Sequence, residues 1–198
     1  GSTWVQAAGD FAGTFLFEPK AAPERTSQLS FVAALAAADA ILSFAPKADL
    51  ALKWPNDVLA GGGKIAGILL ELLDASEKGA PLIALGVGVN VVSKPVVADY
   101  PTARLIDFLD GAAPPSPRAF AEALDQAFTS RAERWREEGF APVRAAWLEK
   151  AAQRGEKIRV RLPRETAEGV FADLDSTGAL VLECEGGRRL ISAGAVAP

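Results

Sequence analysis

The sequence predicts an α/β (α+β) protein: a mixed, mainly antiparallel sheet backed by helices, with a small all-β module after it. Three observations carry this. Apolar, β-rich runs in the middle of the chain are separated by spacers shorter than the crossovers that parallel strands need. Two long segments repeat apolar residues at helical spacing, and after Gly155 the apolar period changes to two.

Taken in order, Phe11 to Phe17 reads as a strand between the turn residues Gly9-Asp10 and Pro19. From Thr26 to Phe44 the pattern is helical and apolar on most sides, which predicts a helix buried against the sheet. Leu50 to Trp54 is a short strand closed by Pro55, which has no N–H for a ladder. The turn Gly61-Gly62-Gly63 leads into a return strand, Lys64 to Leu73, and Pro81 to Val92 is a third run bounded by Pro95. Ser116 caps a helix with Pro117 in its first turn; Phe120, Leu124, Phe128, Ala132 and Trp135 share its apolar side, and Gly139 ends it. Pro142 opens a shorter helix through Trp147. Ile158, Val160 and Leu162 then alternate with Lys157, Arg159 and Arg161, and two Gly-containing turns divide the remainder into short strands. The predicted division is 1–154 and 155–198.

Composition narrows the chemistry. The 198 residues include 21 Lys+Arg and 25 Asp+Glu, a net charge of −4 without basic runs, so nucleic acid is not an expected partner. The apolar run around Phe31 to Ala38 is shorter than a membrane span, so no membrane association is expected. Histidine is absent and Cys184 is the single cysteine, which excludes a Ser-His-Asp triad, a Cys-His pair and a Cys/His zinc site. Catalysis must rest on Lys, Asp, Glu, Arg, Asn and backbone groups. The chain starts Gly1-Ser2 and has no Met, so its first residue is not a translation start.

The informative stretch is Lys53-Trp54-Pro55-Asn56-Asp57-Val58, followed by Lys64-Ile65-Ala66-Gly67-Ile68-Leu69-Leu70-Glu71. A lysine at the edge of a buried strand neutralises a carboxylate or phosphate without a histidine. Asp57 can orient an amine or hold hydrated Mg²⁺, and Gly67 inside a strand marks a close approach of ligand or backbone. A surface hairpin with two solvated lysines has the same composition.

This stretch closely resembles the signature of biotin protein ligases, in which KWPND is followed by KxxGIL and a glutamate. Gly86-Val87-Gly88-Val89-Asn90 is similar to the family's glycine-rich strand, and residues 155–198 look like its C-terminal SH3-like module. The resemblance implies formation of biotinyl-5′-AMP from biotin and MgATP, then transfer of biotin to a lysine of a biotin carboxyl carrier domain. It makes Lys64 and Asp57 the catalytic pair, Lys64 on the biotin carboxyl and adenylate and Asp57 on the acceptor lysine. Gly67, Gly86 and Gly88 join Lys64 in binding biotin; Trp4, Lys53, Asn56 and Asn90 belong to ATP. Mg²⁺ is carried mainly by ATP, with Asp57 as the one protein group near it. The implied setting is cytoplasmic, with room for a homodimer. The family's Ser-Thr-Asn element, glutamine and arginine-glycine loop, which precede the tryptophan matching Trp4, are missing, so this chain alone is expected to be weak or inactive. A lipoate or octanoate transferase of the same core, and a non-catalytic binding protein, are the alternatives.

Overall fold

The structure, a computed structural model, describes residues 7–73, 82–96 and 100–197. Its strands are β1 (Phe11–Phe17), β2 (Leu50–Lys53), β3 (Asp57–Ala60), β4 (Gly63–Leu73), β5 (Leu82–Val89), β6 (Lys157–Arg161), β7 (Thr166–Leu174), β8 (Leu180–Cys184), β9 (Gly187–Ile191) and β10 (Ala195–Val196). Its α-helices are α1 (Leu29–Phe44), α2 (Pro117–Glu138) and α3 (Phe140–Glu149). The first sheet runs β1-β5-β4-β3-β2 and the second β10-β6-β7-β8-β9, antiparallel throughout.

The alternation in β1 sets the two faces of the first sheet. Phe11 meets Phe120 at 5.0 Å between ring centroids, and Phe15 meets Phe128 at 5.5 Å, so these rings anchor α2 to the sheet. Ala12, Thr14 and Leu16 point to the opposite face and stay exposed. The same side that takes α2 takes α1, which is buried on nearly all sides, as its composition predicts. By length and composition, Glu24–Phe44 would pass as a membrane span, contrary to the expectation from the shorter apolar run. Two thirds of it is buried in the core. Ser116 Oγ caps α2 by accepting from the Ala119 N–H at 3.1 Å. The next helix starts at Phe140 rather than at Pro142, because Gly139 at φ 82° both ends α2 and caps α3. Pro142 then lies in the first turn, where no N–H is needed.

The central hairpin differs from the predicted one. Leu50–Lys53 does not pair with Lys64–Leu73 across the three glycines; Asp57–Ala60 folds back on it as β3 and lies between them. Trp54-Pro55-Asn56 makes the first turn, and Gly61-Gly62, both at positive φ, makes the second. A four-residue strand inside a turn-rich motif has too short a pattern to announce itself. At the other end, β5 stops at Val89 because the N–H groups of Val91, Val92 and Ser93 turn to the Asp10 carboxylate.

The C-terminal sheet is packed onto this core. Backbone bonds join Leu52 to Lys150 and Ala152, at 2.7 and 2.8 Å. Trp54 Nε1–H donates to the Gly178 carbonyl at 3.2 Å, and Phe31 lies so near Gly178 that an added Cβ would fall 2.5 Å from its ring. Trp135 and Trp147 are core residues, as their spacing predicts; Trp135 Nε1–H donates to Gln28 Oε1, and Gln28 Nε2–H to Ser176 O.

Candidate active site

Register lines up the candidate residues on the face of the first sheet away from the helices. Lys53 faces Asp57, Asp57 faces Gly67, Gly67 faces Gly88, and Gly88 faces Ala12, one residue from each strand across all five. The next row on that face is Leu69, Gly86 and Thr14. Gly67, Gly86 and Gly88 therefore remove side chains from the middle of one surface, leaving the backbone as the floor of a cavity of about 670 Å³. Lys53, Asn56, Asp57, Lys64 and Tyr100 stand around it, and Arg161 with Gly194–Ala197 closes it from the second sheet.

In a regular strand Lys64, three residues before Gly67, would point to the helix side. The β3–β4 ladder prevents this. Val58 faces Ala66 but Leu59 faces Lys64, so β4 carries one extra residue, Ile65, in a bulge. The bulge turns Lys64 to the cavity and buries Ile65 completely. Pro101 O accepts from the Lys64 N–H and Lys64 O accepts from the Ala103 N–H, both at 2.9 Å, so a crossing segment holds the bulged residue.

Lys64 Nζ lies 2.6 Å from Asp57 Oδ1, with the two side chains only 14% and 22% exposed. The ammonium also sits 5.4 Å from the centroid of the Tyr100 ring. This sheltered pair is not a solvated surface hairpin. Burial draws the Lys53 ammonium below the usual lysine range; Asp57 opposes that shift, and the positive charges of Lys64 and Arg161 add to it. Asn56 is bonded to Ile68 in both directions: its Nδ2–H donates to Ile68 O at 2.5 Å, and its own carbonyl accepts from the Ile68 N–H.

Asn90 is the predicted site residue that does not line the cavity. It is 3% exposed, and its Nδ2 donates to Lys64 O at 3.3 Å and Ala103 O at 3.0 Å. It braces the bulge from behind. Trp4 lies outside the described residues.

Sequence reasoning missed Tyr100, Arg161 and Asp10. Arg161 reads simply as the polar side of an alternating strand, and Asp10 as a turn residue. Asp10 is 2% exposed and accepts from the N–H groups of Val91 and Val92 at 2.9 Å and Ser93 at 3.0 Å, and from the Ser93 hydroxyl. Burial by itself would raise its pKa, but the bonds from Ser93, Val92 and Val91 outweigh it and hold the carboxyl below its ordinary value. A folded pKa below the unfolded one stabilises fully above the ordinary carboxyl range, and the contribution drains away as pH falls toward the folded pKa. Asp10→Asn is therefore expected to cost about 1–3 kcal/mol at neutral pH by leaving buried amides poorly paired. In urea unfolding, the gap from the unsubstituted chain should narrow as pH is lowered through the carboxyl range.

Comparison with known proteins identifies the class. Residues 3–149 match the Biotin/lipoate A/B protein ligase family, and residues 155–197 match the Biotin protein ligase C terminal domain. The chain belongs to the biotin protein ligase family. It is 42% identical to the biotin–[acetyl-CoA-carboxylase] ligase of Paracoccus denitrificans, over 99% of this chain and 83% of that protein. It is 36% identical to the Mycobacterium tuberculosis protein of the same name, over 85% of this chain and 61% of that one. In fold it is similar to the Aquifex aeolicus biotin protein ligase solved with biotin and ATP, with TM-score 0.83, 22% identity, and coverage of 100% and 81% of the two chains. The Leishmania major biotin protein ligase solved with biotinyl-5-AMP gives TM-score 0.67 at 25% identity, covering 98% and 82%. The predicted antiparallel core and β-rich C-terminal part are those of this family.

Proposed function

We propose that this chain activates biotin with ATP and transfers it to a lysine of a biotin carboxyl carrier domain of a carboxylase. The observation that carries the reading is the bulge that sets Lys64 beside a glycine floor, paired with Asp57 in a sheltered cavity. In the first step a biotin carboxylate oxygen attacks the α-phosphorus of ATP and pyrophosphate leaves. Negative charge gathers on the α-phosphate, and the Lys64 ammonium is the fixed cation that meets it. Gly67, Gly86 and Gly88 let the acyl chain lie against the sheet; Lys53 and Asn56 flank the nucleotide end, and Asn90 holds the Lys64 backbone. Trp4 completes the adenine side in this reading.

In the second step the acceptor amine attacks the acyl carbon and AMP leaves. Lys64, once turned toward the adenylate, releases Asp57, whose carboxylate can then orient the incoming lysine and take its proton. Mg²⁺ is assigned mainly to the ATP phosphates, with Asp57 as the one protein group near it, and no step is routed through a protein-held metal. The same reading divides the chain into a catalytic core at 1–154 and a C-terminal SH3-like module at 155–198. It places the reaction in the cytoplasm and leaves room for a homodimer.

The test is mass spectrometry of acyl-adenylates after mixing the chain with MgATP and biotin, lipoate or octanoate in separate reactions. Biotinyl-AMP alone is the expected product. A lipoyl or octanoyl adenylate in its place would overturn the substrate assignment, and no adenylate in any reaction would mean that this chain is an incomplete site or a binding module.

A further inference from the structure

The turn between β7 and β8 is tied to the first sheet by more than packing. Within it, the Asp175 carboxylate accepts from the Thr177 N–H at 2.8 Å, the Thr177 hydroxyl at 2.7 Å and the Ala179 N–H at 2.9 Å. The Gly178 N–H donates to Asp175 O at 3.2 Å. The carbonyls of Ser176 and Gly178 then take partners from outside the turn. Ser176 O accepts from the Gln28 amide and Gly178 O from the Trp54 indole, each at 3.2 Å. Gly178, at φ 91°, has no room for a side chain against Phe31, and the Phe31 ring is itself held edge-on by Phe140 and Trp147, each at 5.5 Å. The turn is therefore a rigid block, and Trp54 is bonded to it.

Trp54 is 3% exposed and follows Lys53, which faces Asp57 on the last rung of the β2–β3 ladder. The turn that joins these two residues is fixed on one side by Asn56, bonded to Ile68, and on the other by Trp54, bonded to Gly178. Lys64 is held by different means, the bulge and the crossing segment at 101–103. The two members of the catalytic pair thus have separate supports. Lys64 is set within the first sheet, whereas Asp57 takes its place from a turn anchored on the second. We propose that the β7–β8 turn positions Asp57 for the transfer step through the Trp54–Gly178 bond, with Trp54 and Asp175 as positioning residues. The inference rests on the ligase reading for what Asp57 does, but the coupling itself is measurable without turnover.

The test compares Trp54→Phe and Asp175→Ala with the unsubstituted full chain, each alone and combined with Asp57→Asn. Two rates are read: adenylate formation at saturating biotin and MgATP, and transfer from preformed biotinyl-5′-AMP to a purified biotin carboxyl carrier domain. Trp54→Phe removes the indole N–H. Asp175→Ala loosens the turn from outside the cavity lining, so it cannot act by touching substrate. Transfer should fall about tenfold for Trp54→Phe and about threefold for Asp175→Ala, with adenylate formation within about twofold of normal. Neither change should slow transfer further once Asp57 is replaced by Asn, since groups that act through one another are not additive. Trp135→Phe is the control, because it removes a buried indole N–H bond, to Gln28, away from the motif. It should lower stability and leave the ratio of the two rates unchanged. Equal losses in both steps, an additive loss with Asp57→Asn, or the same split from Trp135→Phe would overturn the proposal. Hydrogen exchange of the free chains gives the second readout: Trp54→Phe and Asp175→Ala should speed exchange at 53–60 and leave 63–68 protected. Unchanged exchange at 53–60 overturns the coupling whether or not biotin is transferred. Faster exchange there in a protein that makes no adenylate leaves the coupling standing and the ligase reading failed.

Discussion

Lys64→Ala should abolish adenylate formation, with the single-turnover rate for biotin and MgATP falling about 10²- to 10³-fold or more. The size follows from where the ammonium sits. It is mostly withdrawn from solvent, so a charge developing on the α-phosphate meets it with little screening by water. Among the described residues no other cation stands in the same place, because the bulge at Ile65 aims one side chain only. The Asp57 carboxylate would also lose its partner and add repulsion toward an anionic substrate. Lys64→Arg should recover little, since a planar fork does not fit the point-charge geometry beside Asp57 and Tyr100. Unfolding midpoints should stay near that of the unsubstituted chain, which separates loss of chemistry from loss of fold. A Lys64→Ala chain that still makes adenylate within tenfold of normal would show that the charge is supplied elsewhere.

Gly86→Val should be almost as damaging to activity, through volume rather than charge. A Cβ built on Gly86 meets nothing nearer than Leu69 Cβ at 3.6 Å and Leu69 O at 3.7 Å, an ordinary contact. The strand can therefore accept a side chain, and β-branched residues suit it. The added methyl groups would stand on the cavity floor, where the acyl chain is proposed to lie. Biotin affinity should fall about 100-fold or more, as expected when apolar contacts are replaced by overlap. Thermal unfolding should move by only a few degrees. Gly86→Ala, with less added volume, should fall between. If Gly86→Val binds biotin normally, the floor of the site lies elsewhere on the sheet.

Much of the fold could be read from the sequence because local pattern and tertiary role agree there. The alternating phenylalanines of β1, the apolar α1, the Ser116 cap and the period-two strands after Gly155 each encode their environment in their own spacing. The KWPND and glycine motifs pointed to one face of the sheet only through the family resemblance, because a surface hairpin has the same composition; Lys53, Asp57, Lys64 and the glycines do line a single cavity. What escaped depends on residues far apart. The four residues of β3 take their identity from pairing on both sides. The bulge is held by the segment at 101–103 and by Asn90, whose bonds to the Lys64 and Ala103 carbonyls no local pattern announces. Arg161 and Tyr100 reach the cavity only through the docking of other elements. Asp10 gains its meaning from amides some eighty positions later, which no local window contains.

The seam between the two sheets also has a consequence for synthesis. Leu52 is bonded to residues near 150, Trp54 reaches the carbonyl of Gly178, and the cavity wall includes Gly194–Ala197. A ribosome making this chain releases Lys53, Asp57 and Lys64 long before those partners exist. The nascent protein can condense its helices and first sheet early, but its binding site stays open on one side until Gly194–Ala197 has emerged and docked. A stretch more than a hundred residues downstream of Lys64 thus decides when the cavity acquires its wall.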